Sequence, residues 1–180
     1  MGLVNMIRSI LSTKEQNKSE YNKDKEIITK PEVIYSPLEG EVIKLEKVND
    51  PTFAKGIMGK GIAVFPNKGQ VVSPVNGQVV AIFNTKHAIA LKSDNGAEIL
   101  IHIGIDTVNL NGKYFLQKVK QGERVSIGDL LVEFDINNIK KEGYDLVTSV
   151  IITNTDMYLD IKETEVEVIR EKDNLLELTL

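Results

Sequence analysis

The sequence predicts an all-β domain, an antiparallel sandwich or barrel-like body of two related halves with one or two short helices. Two observations predict it. From Val33 onward, short Val- and Ile-rich runs alternate with clusters of Gly, Pro, Asn and Asp. There is also an internal echo: "YSPLEGEVIKL" from Tyr35 and "VSPVNGQVVAI" from Val72 share Ser-Pro-x-x-Gly before an alternating strand. In this turn Pro sets the first position, and Gly is expected to supply a positive φ before the strand resumes.

In chain order, "MGLVNMIRSILS" comes first and places Leu3, Ile7, Ile10 and Leu11 on one stripe of a short helix. It reads either as a weak membrane-surface anchor, residues 1–12, or as a helix packed on the body. Met6 stands where N-myristoylation wants Ser or Thr, so Gly2 is not an acceptor. The lysine-rich stretch Thr13 to Glu26 reads as a flexible linker. Residues 1–32 are therefore expected to be tail and linker, and residues 33–180 one β domain. Its strands are read in "GEVIKLEKV", "GIAVF", "GQVVAIF", "AEILIHI", "RVSIGDLLVEF" and "VTSVIIT". "QGERVSIGDLLVEF" reads as a third variant of the turn-strand unit, with Gly122 and Gly128 around a short strand. Only "DINNIKKEGY" offers a helix, with Asp135 as N-cap. "GIMGKG" lacks the Gly-Lys-Ser/Thr of a phosphate cradle and reads as a turn.

Composition removes several function classes. The 180 residues carry a formal net charge of −4 and no long basic run, which argues against nucleic acid as a partner. No cysteine is present, so a disulfide framework, a thiolate nucleophile and a Cys-based zinc site are excluded. No apolar run approaches the ~20 residues that span a bilayer.

Both histidines fall within "HAIALKSDNGAEILIHIGIDTV", two strand-like runs about a turn signal. With Asp94-Asn95 as a two-residue turn, His87 and His102 stand directly opposite, Cβ atoms ~4.5–5.5 Å apart. With Asn95-Gly96 they are diagonal neighbours on one face, ~7–8 Å apart. A three-residue loop without a compensating bulge puts them on opposite faces. An imidazole pair is a poor core filler, because its donors and acceptors need partners. Neutral imidazole serves as nucleophile, base or metal ligand. A hydrolytic triad lacks its Gly-x-Ser-x-Gly, and a catalytic zinc site wants a third ligand that no His-Glu-x-x-His supplies. Attack on phosphorus by one imidazole, with the other donating to the phosphoryl oxygens, needs only the pair and a further donor. Thr85, two residues before His87, would share its face.

"NTKHAIALKSDNGAEILIHIGIDTVNLNGKYF" closely resembles the signature of the glucose-family enzyme IIA of the bacterial sugar phosphotransferase system. The likeness continues through "SPLEGEVIKLEKVNDPTFAKGIMGKGIAV", "SPVNGQVVAIF", "GERVSIGDLLVEFD" and "TSVIITN". The resemblance implies a β-sandwich with Greek-key and jelly-roll features. It implies a cytoplasmic carrier that takes phosphate from the phosphocarrier HPr and gives it to the IIB domain of a sugar permease. On motif position His102 would be phosphorylated, and His87 with Thr85 would hold the phosphoryl group. The Gly104 carbonyl would fix the His102 tautomer, and Asp50 and Asp106 would form a rim facing arginine on HPr. An apolar collar would comprise Phe53, Ile57, Met58, Phe83, Ile89, Leu100 and Val108. No cofactor is required, although zinc could bridge His87 and His102 to a partner's carboxylate. The resemblance also favours contact of residues 1–12 with the inner membrane face.

Pro51 and Thr52 stand where the family often carries paired apolar residues, which points to altered partner preference. Biotinyl and lipoyl carriers need a modifiable Lys at a hairpin tip in a setting this chain lacks. Zinc endopeptidases of hairpin type need a further His-x-His. A non-catalytic module that docks transporters through the same apolar face is the alternative.

Overall fold

The computed structural model describes residues 31–180, so the N-terminal stripe and the linker lie outside the described residues. The strands are β1 (Glu32–Tyr35), β2 (Gly40–Lys44), β3 (Lys60–Pro66), β4 (Gln70–Val72), β5 (Gly77–Ile82), β6 (Ala88–Ser93) and β7 (Glu98–His102). They continue as β8 (Phe115–Gln117), β9 (Arg124–Val125), β10 (Leu130–Phe134), β11 (Thr148–Ile152), β12 (Asp160–Glu163), β13 (Val168–Ile169) and β14 (Asn174–Thr179). An eight-stranded sheet runs β13-β2-β3-β11-β7-β6-β5-β9, flanked by three-stranded sheets β1-β14-β12 and β4-β10-β8. Every pairing among them is antiparallel. The all-β expectation holds.

The large sheet is two sets of four strands, and the Ser-Pro echo explains why. Ser36 Oγ donates to the Leu38 carbonyl and Ser73 Oγ to the Val75 carbonyl, both at 2.7 Å and both buried. The two turns also hold each other. Tyr35 N–H donates to Pro74 at 3.1 Å, and Val72 N–H donates to Pro37 at 2.9 Å. Against the expectation from sequence, the glycines that follow do not act through φ; neither Gly40 nor Gly77 is left-handed. They act through close approach. A Cβ on Gly40 would lie 2.0 Å from the Phe65 carbonyl oxygen, and one on Gly77 2.1 Å from that of Lys92.

The repetition extends to a segment whose likeness sequence alone did not reveal. Ser126 to Asp129 and Arg170 to Asp173 form the same turn: Ser126 N–H bonds the Asp129 carboxylate and Arg170 N–H that of Asp173. Their third residues, Gly128 and Lys172, are both left-handed, with φ of 89° and 69°. Gly128 N–H then donates to Ser73, and Lys172 N–H to Ser36.

Two short helices complete the described residues. Asp135 caps α2 (Ile136–Lys141) by accepting from Asn138 N–H at 3.0 Å, as expected. The other, α1 (Pro51–Ala54), was not read in the sequence, although Asp50 as N-cap and Pro51 at the first position announce it. The run "GEVIKLEKV" leaves the strand at Lys44 and turns through Leu45–Lys47 toward that helix.

Candidate functional site

Alternate residues of β7 face opposite ways. Ile99 and Ile101, followed by Ile103, enter the main apolar core together with Ile89 and Leu91 of β6 and Val150 and Ile152 of β11. On the other face Ala63, Ser149, His102 and Ala88 form one row across β3, β11, β7 and β6. Three small side chains in that row leave room for a ring above the sheet.

The hairpin joining β6 and β7 uses the register expected to part the histidines. Its loop is Asp94–Gly96, His102 pairs with Ala88, and Ile103 N–H donates to the His87 carbonyl at 2.7 Å. The rings nevertheless meet edge to face, centroids 4.8 Å apart. His87 escapes the strand's alternation because it belongs to the turn after β5. Lys86, left-handed at φ 57°, ends that turn, and regular strand begins only at Ala88. Thr85 sits in the same turn, with its Oγ1 2.6 Å from His87 Nδ1. The nearness of Thr85 to His87, expected from strand alternation, is therefore supplied by a turn.

Both rings are sealed: His87 is 0% and His102 4% exposed. Phe53 of α1 tilts over His102 at 5.0 Å, and Phe83 meets His87 edge-on at 5.9 Å. Burial, reinforced by His102, pushes His87 down to about 3. Burial pushes His102 down to about 4, against the pull of the Gly104 carbonyl and the Asp50 and Asp106 carboxylates. Both imidazoles are neutral at pH 7. The Gly104 carbonyl acts on His102 as a backbone acceptor, although His102 Nδ1 has no partner of ordinary hydrogen-bond geometry. His87 Nε2 is likewise buried without a partner.

The remaining expected residues divide clearly. Asp50 caps α1 through Thr52 N–H at 2.7 Å, and exposed Asp106 is left-handed at φ 56°. Met58 and Leu100 are buried, Leu100 lying on the histidine face of β7. Ile57 and Val108 are 49% and 42% exposed, on the two segments that deliver Phe53 and Asp106. Gly104 is left-handed at φ 74° and closely packed; a Cβ there would lie 2.6 Å from the Asp145 carbonyl oxygen. Ile89 does not belong to the collar. It pairs with Ile101 and its side chain enters the main core on the opposite face, because the register sets Ala88 rather than Ile89 beside His102. One residue went unread: Ser149, directly opposite His102 on β11, is fully buried with its Oγ unpartnered. Its only sequence signal is a hydroxyl inside the apolar run "VTSVIIT".

The family model described as phosphoenolpyruvate-dependent sugar phosphotransferase system, EIIA 1, matches residues 32–158. The chain belongs to that family. The β-glucoside-specific EIIBCA component of Bacillus subtilis is 52% identical over 82% of this chain and 24% of its own length. This chain thus spans about a quarter of such β-glucoside relatives. The glucose-specific EIIA component of Oceanobacillus iheyensis is 46% identical over 84% of this chain and 92% of its own. The solved glucose permease IIA from Mycoplasma capricolum superposes with a TM-score of 0.72 at 28% identity, covering 88% of this chain and 99% of that one.

Among the described residues no three His, Cys, Asp or Glu side chains gather to hold a metal. The histidine pair alone offers two nitrogens, fewer than the three protein ligands of a catalytic zinc site. No helix among the described residues is long and apolar enough to cross a membrane.

Proposed function

We propose that this chain is a phosphocarrier that accepts a phosphoryl group on His102 from phospho-HPr and passes it to the IIB domain of a sugar permease. One observation carries the reading: two neutral imidazoles meet edge to face in a sealed apolar setting. The His102 Nε2 lone pair forms the new N–P bond as the donor's N–P bond breaks, its electron pair returning to the donor nitrogen. The proton on His102 Nδ1 stays in place. Phosphoryl transfer asks the protein for alignment and charge stabilisation, and exclusion of water strengthens both.

His87 supplies the second element. With the Thr85 hydroxyl donating to Nδ1, its proton sits on Nε2, which then donates to a phosphoryl oxygen. Asp50 and Asp106 give the mouth an acidic rim that suits a basic partner, and Ile57 and Val108 add exposed apolar contacts. Such a carrier works in the cytoplasm, where HPr meets it. The chemistry requires no cofactor; zinc would join the pair only with a carboxylate from a partner.

Incubation with enzyme I, HPr and phosphoenolpyruvate should place acid-labile phosphate on His102. His102→Ala should abolish it. His87→Gln should still accept phosphate but pass it to a IIB domain about tenfold or more slowly, because the amide N–H does not reproduce the position of the imidazole Nε2–H. Undiminished labelling of His102→Ala would overturn the assignment, and no labelling of the unaltered chain would favour the docking module instead.

A further inference from the structure

We propose that Ser149 is a positioning residue for the phosphoryl carrier: its hydroxyl accepts from His102 Nδ1–H and keeps the proton there while Nε2 carries phosphorus. The inference rests on the carrier role of His102. Three observations support it. Ser149 and His102 are cross-strand partners, so their Cβ atoms lie ~4.5–5.5 Å apart on one face. Both Ser149 Oγ and His102 Nδ1 are buried without a partner. Two orphaned polar atoms on directly opposed residues are unfavourable and rare. Finally, the surroundings leave Ser149 no other side-chain partner in its row. Its opposite neighbour on β3 is Ala63, and Val147, just before its strand, and Ile151, two residues on, are apolar.

The geometry also selects the ring nitrogen. Nδ1 is the ring nitrogen nearer Cβ, so it is the one that a short side chain on the facing strand is better placed to meet, given a change of serine rotamer. Phosphorylation at Nε2 with Nδ1 still protonated makes the ring cationic, so Nδ1–H becomes a stronger donor. An acceptor beside it stabilises the loaded state more than the resting one. The Gly104 carbonyl acts on the ring without ordinary hydrogen-bond geometry, and the serine hydroxyl is the second acceptor.

The test uses the full chain labelled with 15N-histidine. Ser149→Ala should shift the His102 ring-nitrogen resonances toward the Nε2–H tautomer, slow acceptance from phospho-HPr roughly three- to tenfold, the worth of one net hydrogen bond, and hasten hydrolysis of the phosphohistidine. Ser149→Thr, which keeps the hydroxyl, should restore all three. Resonances of His102 unchanged in Ser149→Ala would overturn the proposal. They are read on unphosphorylated protein, so they decide Ser149 even if His102 takes no phosphate. Failure of the unaltered chain to become labelled would strike the carrier reading alone.

Discussion

The two halves of the eight-stranded sheet agree wherever they build the frame and differ wherever they build the site. The turns before β2 and β5 share the same serine hydrogen bond and the same glycine wedged against a neighbouring carbonyl. What joins β2 to β3 is a long segment carrying Asp50, Phe53 and Met58, whereas β5 joins β6 through a tight turn carrying Phe83, Thr85 and His87. One connection covers His102 with an aromatic ring and brings the Asp50 carboxylate within electrostatic reach of it. The other brings a second imidazole. Chemistry requires unlike groups around one point, which a repeated element cannot supply; a duplicated frame therefore acquires its site by making its connections unlike.

The largest effect should come from breaking the frame, and it should be equal in both halves. Gly40→Ala and Gly77→Ala each place a methyl group about 2 Å from a backbone oxygen, so paired strands must separate. A loss of about 3 kcal/mol is expected for each, at the upper end of ordinary overpacking. Urea denaturation measures it. A large loss at one glycine and none at the other would show that the halves are not mechanically equivalent.

A smaller effect should belong to the site alone. His87 and His102 are held down to about 3 and about 4 in the folded protein, against about 6.5 in an unfolded chain. Depressed folded values mean the unfolded state binds more protons, so their stabilising contribution is complete above pH 6.5 and is lost as pH falls toward 4. Between pH 7 and 5.5 the pair should cost about 2 kcal/mol of stability. The double variant His87→Gln, His102→Gln should flatten that slope, while Gly40→Ala leaves it intact. An unaltered slope in the double variant would place the pH sensitivity elsewhere.

The same division governs what the sequence discloses. Frame strands are written in alternating apolar residues, and the Ser-Pro echo marks their duplication in plain view. The equivalence of Ser126–Asp129 with Arg170–Asp173 is hidden because it resides in hydrogen bonds donated by backbone N–H groups, which residues as unlike as Ser126 and Arg170, or Gly128 and Lys172, supply equally. At the site, Thr85, His87 and His102 are legible as a constellation, but their meeting is not deducible from strand register. The register taken alone separates the rings; Lys86 in a left-handed turn reunites them. Ile89 is misplaced by the same one-residue shift, since register decides which face each side chain enters. Ser149 stays hidden because the pairing of β11 with β7 is long-range and no local pattern announces it.

The smallest effect sharpens the comparison at the turns just mentioned. Gly128 and Lys172 occupy equivalent positions and both donate to a serine carbonyl of the echoed motif. Both are left-handed, a conformation that disfavours any residue bearing a Cβ by about 1–2 kcal/mol. Lys172→Gly relieves that strain, and the greater freedom of glycine in the unfolded chain offsets part of the gain. A net stabilisation of about 0.5–1 kcal/mol is expected, since exposed Lys172 loses little packing. Gly128→Ala runs the other way. Its Cβ would meet the flexible end of the Lys172 side chain, which can move aside, so the backbone term dominates and a loss of about 1 kcal/mol is expected. Opposite signs at matched positions would show one backbone demand met by a suitable residue in one half and tolerated in the other. Equal losses at both would show that Lys172 is held there by its side chain, and that the likeness of the two turns ends at their hydrogen bonds.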